Sequence, residues 1–156
     1  MAVVASIARL LDLRRVDYRV VTHLHTDSSS ETAEAAHVSG ERVAKGVLLK
    51  DGGGYCLAVI PATHELQLDV LNDRLERSLH LANEDDLLQA FPDCELGAVP
   101  ALGKAYGIET LVDEQLLDQP ELYFEAGEHC ELVCVSARAF ERLMDGSEYS
   151  TFSTHR

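Results

Sequence analysis

Lys45 is the only charge in the run Val43-Ala44-Lys45-Gly46-Val47-Leu48-Leu49, within a chain whose formal net charge is -14. Burying an unpaired ammonium costs several kcal/mol, so such a lysine either extends its stem to solvent or meets an anion in a water-filled cleft. The second unusual segment is Gly97-Ala98-Val99-Pro100-Ala101-Leu102-Gly103, which carries no charge. Glycine permits conformations that aim successive N–H groups into one cavity, and proline stiffens the result. Such a loop holds a carbonyl or an oxyanion without any side chain; an ordinary helix-to-strand connection is the competing reading. His129 follows Gly127-Glu128 at a turn between two strands, where an imidazole is as often decoration as function.

The elements that must position these groups follow from periodicity. Val3, Ile7, Leu10, Leu11 and Leu13 fall near helical spacing, so the chain opens with an amphipathic helix over 3–16, followed by a strand from Tyr18 to Thr22. His23 to Ser30 reads as a solvated loop, and Ser29 or Ser30 caps a short helix from Glu31 to Val38. The run around Lys45 has strand length and is joined through Asp51-Gly52-Gly53-Gly54 to a second strand ending at Ile60. Alternation places Val43, Lys45 and Val47 on one face and Gly46 and Leu48 on the other.

Residues 66–77 read as helix, Leu79 to Ala82 as a short strand, and Asn83 as the cap of a helix reaching about Ala90. Strands are expected at Thr110 to Val112, Leu122 to Glu125 and Leu132 to Val135, and Ser136 caps a last helix to about Met144. Asp145 to Arg156 is polar and expected to fray. Without regular βαβ alternation, the pattern is a single α+β domain with a mixed, mainly antiparallel sheet flanked by helices.

At 156 residues and 46% hydrophobic content the chain needs neither disulfide nor metal to fold. No apolar stretch could span a bilayer, and the start lacks a basic signal region, so the expected location is the cytoplasm. Residues 1–50 carry seven Lys/Arg against six Asp/Glu, whereas the remainder carries six against 21. So acidic a chain is a poor non-specific nucleic-acid binder, and a polyanion would approach the N-terminal third. Arg9, Arg14, Arg15, Arg19 and Arg42 lie there. No G-x-S-x-G elbow, phosphate-binding glycine loop or H-E-x-x-H occurs. Cys130 with Cys134 could pair at a metal only against the usual zinc spacings, and His23 with His25 sit in a stretch that reads as a solvated loop. The four cysteines read as small buried hydrophobes.

Ser30-Glu31-Thr32-Ala33-Glu34-Ala35-Ala36, the hairpin containing Val43 to Pro61, Ala82 to Leu88, Glu95 to Gly103 and Phe124 to His129 occur in an order that resembles the YbaK family. That family includes the editing domain inserted in bacterial prolyl-tRNA synthetase and free-standing deacylases. The resemblance spans roughly residues 16–144 and implies a YbaK-like domain over 1–144, with 145–156 as a tail.

It also implies hydrolysis of the ester joining a wrong amino acid to tRNA, in trans, substrate-assisted and without metal or cofactor. The family's lysine falls on Lys45, and its glycine loop on Gly97, Ala98, Val99, Pro100 and Ala101. Its pocket histidine falls on His129. Lys45 and Gly97 would be catalytic, and Ala98 to Ala101 with His129 would bind substrate; Lys45 is then expected in an open cleft facing the loop. Arg14, Arg15 and Arg42 would contact the tRNA, with tRNA-Pro and a synthetase as partners and neither DNA nor membrane involved. The loop's terminal proline is here Ala101, which loosens a φ restraint that Pro100 partly keeps. The rival reading is a non-catalytic module on the same fold that binds a small molecule or a protein.

Overall fold

Turn chemistry and alternation place the hairpin that contains Lys45 at the centre of the molecule. In this computed structural model, which describes residues 4–23, 32–33, 36–128 and 130–156, β2 (Ala44–Asp51) pairs antiparallel with β3 (Gly54–Pro61) along its whole length. The Asp51 carboxylate accepts from the Gly53 amide at 2.8 Å and closes the turn. β5 (His80–Leu81) adds antiparallel to β2, while β6 (Glu109–Asp113) and β9 (Glu148–Ser150) extend the sheet in parallel from β3, giving the order β5-β2-β3-β6-β9.

A second sheet, β1-β8-β7, is antiparallel throughout and is formed by Arg19–Thr22, Glu131–Ser136 and Glu121–Glu125. A two-stranded piece pairs β4 (His64–Leu66) with β10 (Ser153–His155). The expected mixed, mainly antiparallel pairing is therefore divided among three sheets. A parallel bridge between Val43 and Tyr123 joins the first two.

Each face of the central hairpin has its own core. Leu48, Leu57 and Val59 pack with Ile7 and Leu11 of α1 (Ala5–Leu13), with Phe140 of α4 (Ala137–Leu143) and with the inner residues of the second sheet. Leu49, Cys56, Ala58 and Ile60 pack on the other face against Leu71 of α2 (Leu68–Leu75) and against Phe152. Burying such side chains stabilises by about 2 kcal/mol each. α3 (Glu84–Ala90) starts with the expected cap: the Asn83 side chain accepts from the Asp86 amide at 2.9 Å and Asp86 accepts from the Asn83 amide at 3.0 Å. Ser136 caps α4 by accepting from the Ala139 amide.

Two expectations need correction. The tail does not fray: β9 closes the central sheet and β10 pairs with β4. Its polar composition hid this, because Phe152 is its only large apolar residue and is fully buried. His23 is buried rather than solvated, with its amide donating to the Cys130 carbonyl at 2.8 Å. His25, the Ser29 or Ser30 cap and most of the Glu31 to Val38 helix lie outside the described residues, although Thr32 and Ala33 are helical.

Candidate functional site

Strand alternation determines where Lys45 points. Lys45 and Val47 share the face of Ile60 and Ala58, and Lys45 lines an open cleft of about 350 Å³ together with Ile60, His64, Leu66, Leu68 and Arg156. The lysine is half-buried, and burial first, then the nearby Arg156, lowers its pKa from the ordinary value. No carboxylate pairs with it among the described residues.

The glycine loop packs on the opposite face of the same strand. A Cβ on Gly46 would stand 3.3 Å from the Pro100 carbonyl oxygen, so the absent side chain is what lets the loop lie flat on β2. Ala98 to Gly103 are buried. Gly97 itself is exposed at φ +84, a conformation that disfavours any side chain. The loop is tied at its start through Ala98: the Ala98 amide donates to the Glu95 carbonyl and the Gly127 amide donates to the Ala98 carbonyl at 3.2 Å. Among the described residues the amides of Val99 and Ala101 have no acceptor. Ala101 is fully buried, so packing supplies rigidity at that position.

Lys45 is thus in a cleft, but none of the residues Gly97 to Ala101 lines it. The loop instead meets the Gly127 turn that leads toward His129, which lies outside the described residues.

The arginines also separate. Arg14 and Arg15, at the end of α1, share a surface depression of about 570 Å³ with Arg138 and Arg142 of α4, alongside Glu141 and Asp145. The Arg142 guanidinium donates to the Arg15 carbonyl at 3.2 Å. Arg42 lies apart, paired with Glu121 at 3.7 Å, which Arg19 also approaches. Arg138 and Arg142 escaped sequence reasoning because only the packing of α4 beside α1 brings them to Arg14.

Two further groups have no sequence signature. Glu125 is 1% exposed, so its carboxyl is enclosed by packing. Burial, reinforced by Glu95, pushes it up to about 7; the Thr32 hydroxyl opposes this only in part. Near the Lys45 cleft, the Ser153 hydroxyl donates to Asp113 at 2.6 Å while His64 Nδ1 lies 2.9 Å from the same oxygen. A nucleophilic serine must give its proton to the imidazole. Here that proton is directed to the carboxylate and His64 donates to Ser153, so the trio holds β10 in place.

Comparison with known proteins gives one family and one fold. The family model for the aminoacyl-tRNA editing domain matches residues 23–143. The solved structure of hypothetical protein APE2540 is similar with a TM-score of 0.84 at 20% identity, over 96% of this chain and 99% of the other. A candidate trans-editing enzyme for prolyl tRNA synthetase matches with a TM-score of 0.81 at 19% identity, over 96% and 95% of the two chains. A candidate signal transduction protein from Marinobacter aquaeolei VT8 matches with a TM-score of 0.81 at 19% identity. The match covers 97% of this chain but 31% of that one, so the chain spans about a third of its length. No curated protein matches the sequence. Among the described residues, no helix is long and apolar enough to cross a membrane.

Proposed function

Since the chain belongs to the aminoacyl-tRNA editing domain family, we propose that it is a deacylase that hydrolyses, in trans, the ester of a misacylated tRNA. The observation that carries the proposal is Lys45, half-buried in an open cleft and ion-paired to no carboxylate among the described residues. In a protein with net charge -14, an anionic ligand is the natural counter-charge.

The chemistry needs no protein nucleophile, metal or cofactor. Water, assisted by the 2′-hydroxyl of the terminal ribose, adds to the ester carbonyl. The bond to the 3′-oxygen then breaks, that oxygen takes up the proton, and the amino acid leaves. The Val99 and Ala101 amides, held by the fixed loop, are suited to the developing oxyanion. Lys45 holds the anionic part of the nucleic acid in register. The similarity to a candidate enzyme named for prolyl tRNA synthetase makes alanyl- and cysteinyl-tRNA-Pro the first substrates to assay.

The test is a panel of alanyl-, cysteinyl- and seryl-tRNAs incubated with the parent and with Lys45→Ala. The expected result is release of one amino acid, slowed on the order of a hundredfold in the variant. Absence of hydrolysis from every tRNA overturns the enzyme reading and leaves a binding module on the same fold.

A further inference from the structure

The glycine loop is part of a longer excursion of the chain, and a single carboxylate closes its base. Asp93 stands before the loop, and Tyr106 stands after it, at the end of the short 3-10 helix Gly103–Tyr106. The Tyr106 hydroxyl donates to Asp93 Oδ1 at 2.6 Å, and the Ser6 hydroxyl, from the first turn of α1, donates to Asp93 Oδ2 at 2.9 Å. Each carboxylate oxygen is therefore engaged by a different segment. The Tyr106 ring stands edge-on to Phe91 with centroids 4.7 Å apart, so aromatic packing closes the same gap as the hydrogen bond.

Cys94 joins this cluster without adding reactivity. Its Sγ lies 3.1 Å from the Tyr106 oxygen, and burial pushes the thiol up to about 12, which keeps it neutral. Burial first, then the Asp93 carboxylate, raises the Tyr106 phenol in the same way, so it stays a donor. Cys94 also backs the Gly127 turn: a Cβ on Gly127 would stand 3.3 Å from its Sγ, and the neighbouring Glu95 amide donates to the Gly127 carbonyl at 2.7 Å. The base of the loop, the start of α1 and the turn that meets the Ala98 carbonyl thus converge on one cluster.

Between Asp93 and Tyr106 lie Val99 and Ala101, the residues whose amides have no acceptor among those described. Chain entropy opposes any fixed arrangement of so long a stretch, and a short bond to an ionised acceptor across its base offsets that cost. Neither Asp93 nor Tyr106 lines the Lys45 cleft, so their effect on a reaction passes through the loop.

We propose that Asp93 and Tyr106 form a clamp that fixes the Gly97 loop, which makes them positioning residues for the Val99 and Ala101 amides. The deacylase reading enters only in what those amides bind.

The experiment compares the parent with Tyr106→Phe, Asp93→Ala and Asp93→Asn. It follows the amide NMR signals of Val99 and Ala101 without substrate, kcat and KM for the aminoacyl-tRNA that the parent hydrolyses, and thermal melts. Tyr55→Phe, which deletes a hydroxyl bonded to Asp86 at 2.9 Å, is the control. Tyr106→Phe keeps its ring against Phe91 and is expected to stay folded, to move both amide signals and to lower kcat about tenfold with KM within about twofold. Asp93→Ala should do the same, and Asp93→Asn, which keeps an acceptor for the phenol, should recover part of the loss. Tyr55→Phe should keep the parental kcat. A parental kcat in Tyr106→Phe overturns the proposal, as do unmoved amide signals, because the effect would then bypass the loop. An equal loss of kcat in Tyr55→Phe also overturns it, by reducing the effect to lost stability. Where the parent deacylates no tRNA, moved amides in Tyr106→Phe overturn the deacylase reading alone and leave the clamp standing.

Discussion

Ser153 gives its hydroxyl proton to Asp113 across 2.6 Å, and both residues are buried. Asp113 also accepts from the Phe152 amide and from the Gln115 amide at 2.9 Å, so one carboxylate joins the end of β6 to the start of β10. Asp113→Ala leaves these buried donors unsatisfied. It is expected to cost about 3 kcal/mol in urea denaturation.

Gly97→Ala and Gly46→Ala should act on the loop from two sides. The first forces a side chain onto φ +84; the second places a Cβ 3.1 Å from a Leu57 methyl and 3.3 Å from the Pro100 oxygen. Each is expected to cost about 1 kcal/mol, and deacylation should fall about tenfold or more as the amides shift. Gly52→Ala, where a new Cβ meets nothing within 4 Å, is the control and should keep full activity.

Glu125 sets a pH dependence of stability. Its carboxyl is raised from 4.5 to about 7 by burial, so the native state binds the proton more tightly than the unfolded state. The stabilisation is complete below about 4.5 and fades as pH rises through about 7. Between pH 5 and pH 8 the parent should lose roughly 2 kcal/mol that Glu125→Gln does not lose. Parallel denaturation curves at the two pH values check this, and equal losses would reject the buried protonated acid.

The arginines at the α1 and α4 ends should contribute by charge alone. If Arg14 and Arg138 each contact a tRNA phosphate, removing both lowers the log–log salt slope of tRNA binding by roughly 1 to 2. Fluorescence anisotropy at several salt concentrations measures it. An unchanged slope places the tRNA elsewhere.

The central hairpin was legible because the Gly-rich turn and the two-residue period act locally, and the Asn83 and Ser136 caps for the same reason. The C-terminal strands were not, because β9 and β10 are three residues each and polar. They are held by pairing to distant strands and by Asp113, none of which leaves a periodic signal. Lys45 stood out as a charge in an apolar run, whereas Glu125 was one of 27 acids until packing enclosed it. Sequence suggested that Lys45 and the Gly97 loop would face one another, but the pleat of β2 directs them to opposite faces.

β9 also guards an edge. It covers the outer side of β6 by pairing with Leu111, Val112 and Asp113, and β10 covers β4 in the same way. A chain cut after Met144 would uncover two rows of unpaired backbone donors and acceptors beside apolar side chains, the condition under which sheets recruit strands from other molecules. Such a truncated chain is expected to self-associate even though it retains the whole matched family segment.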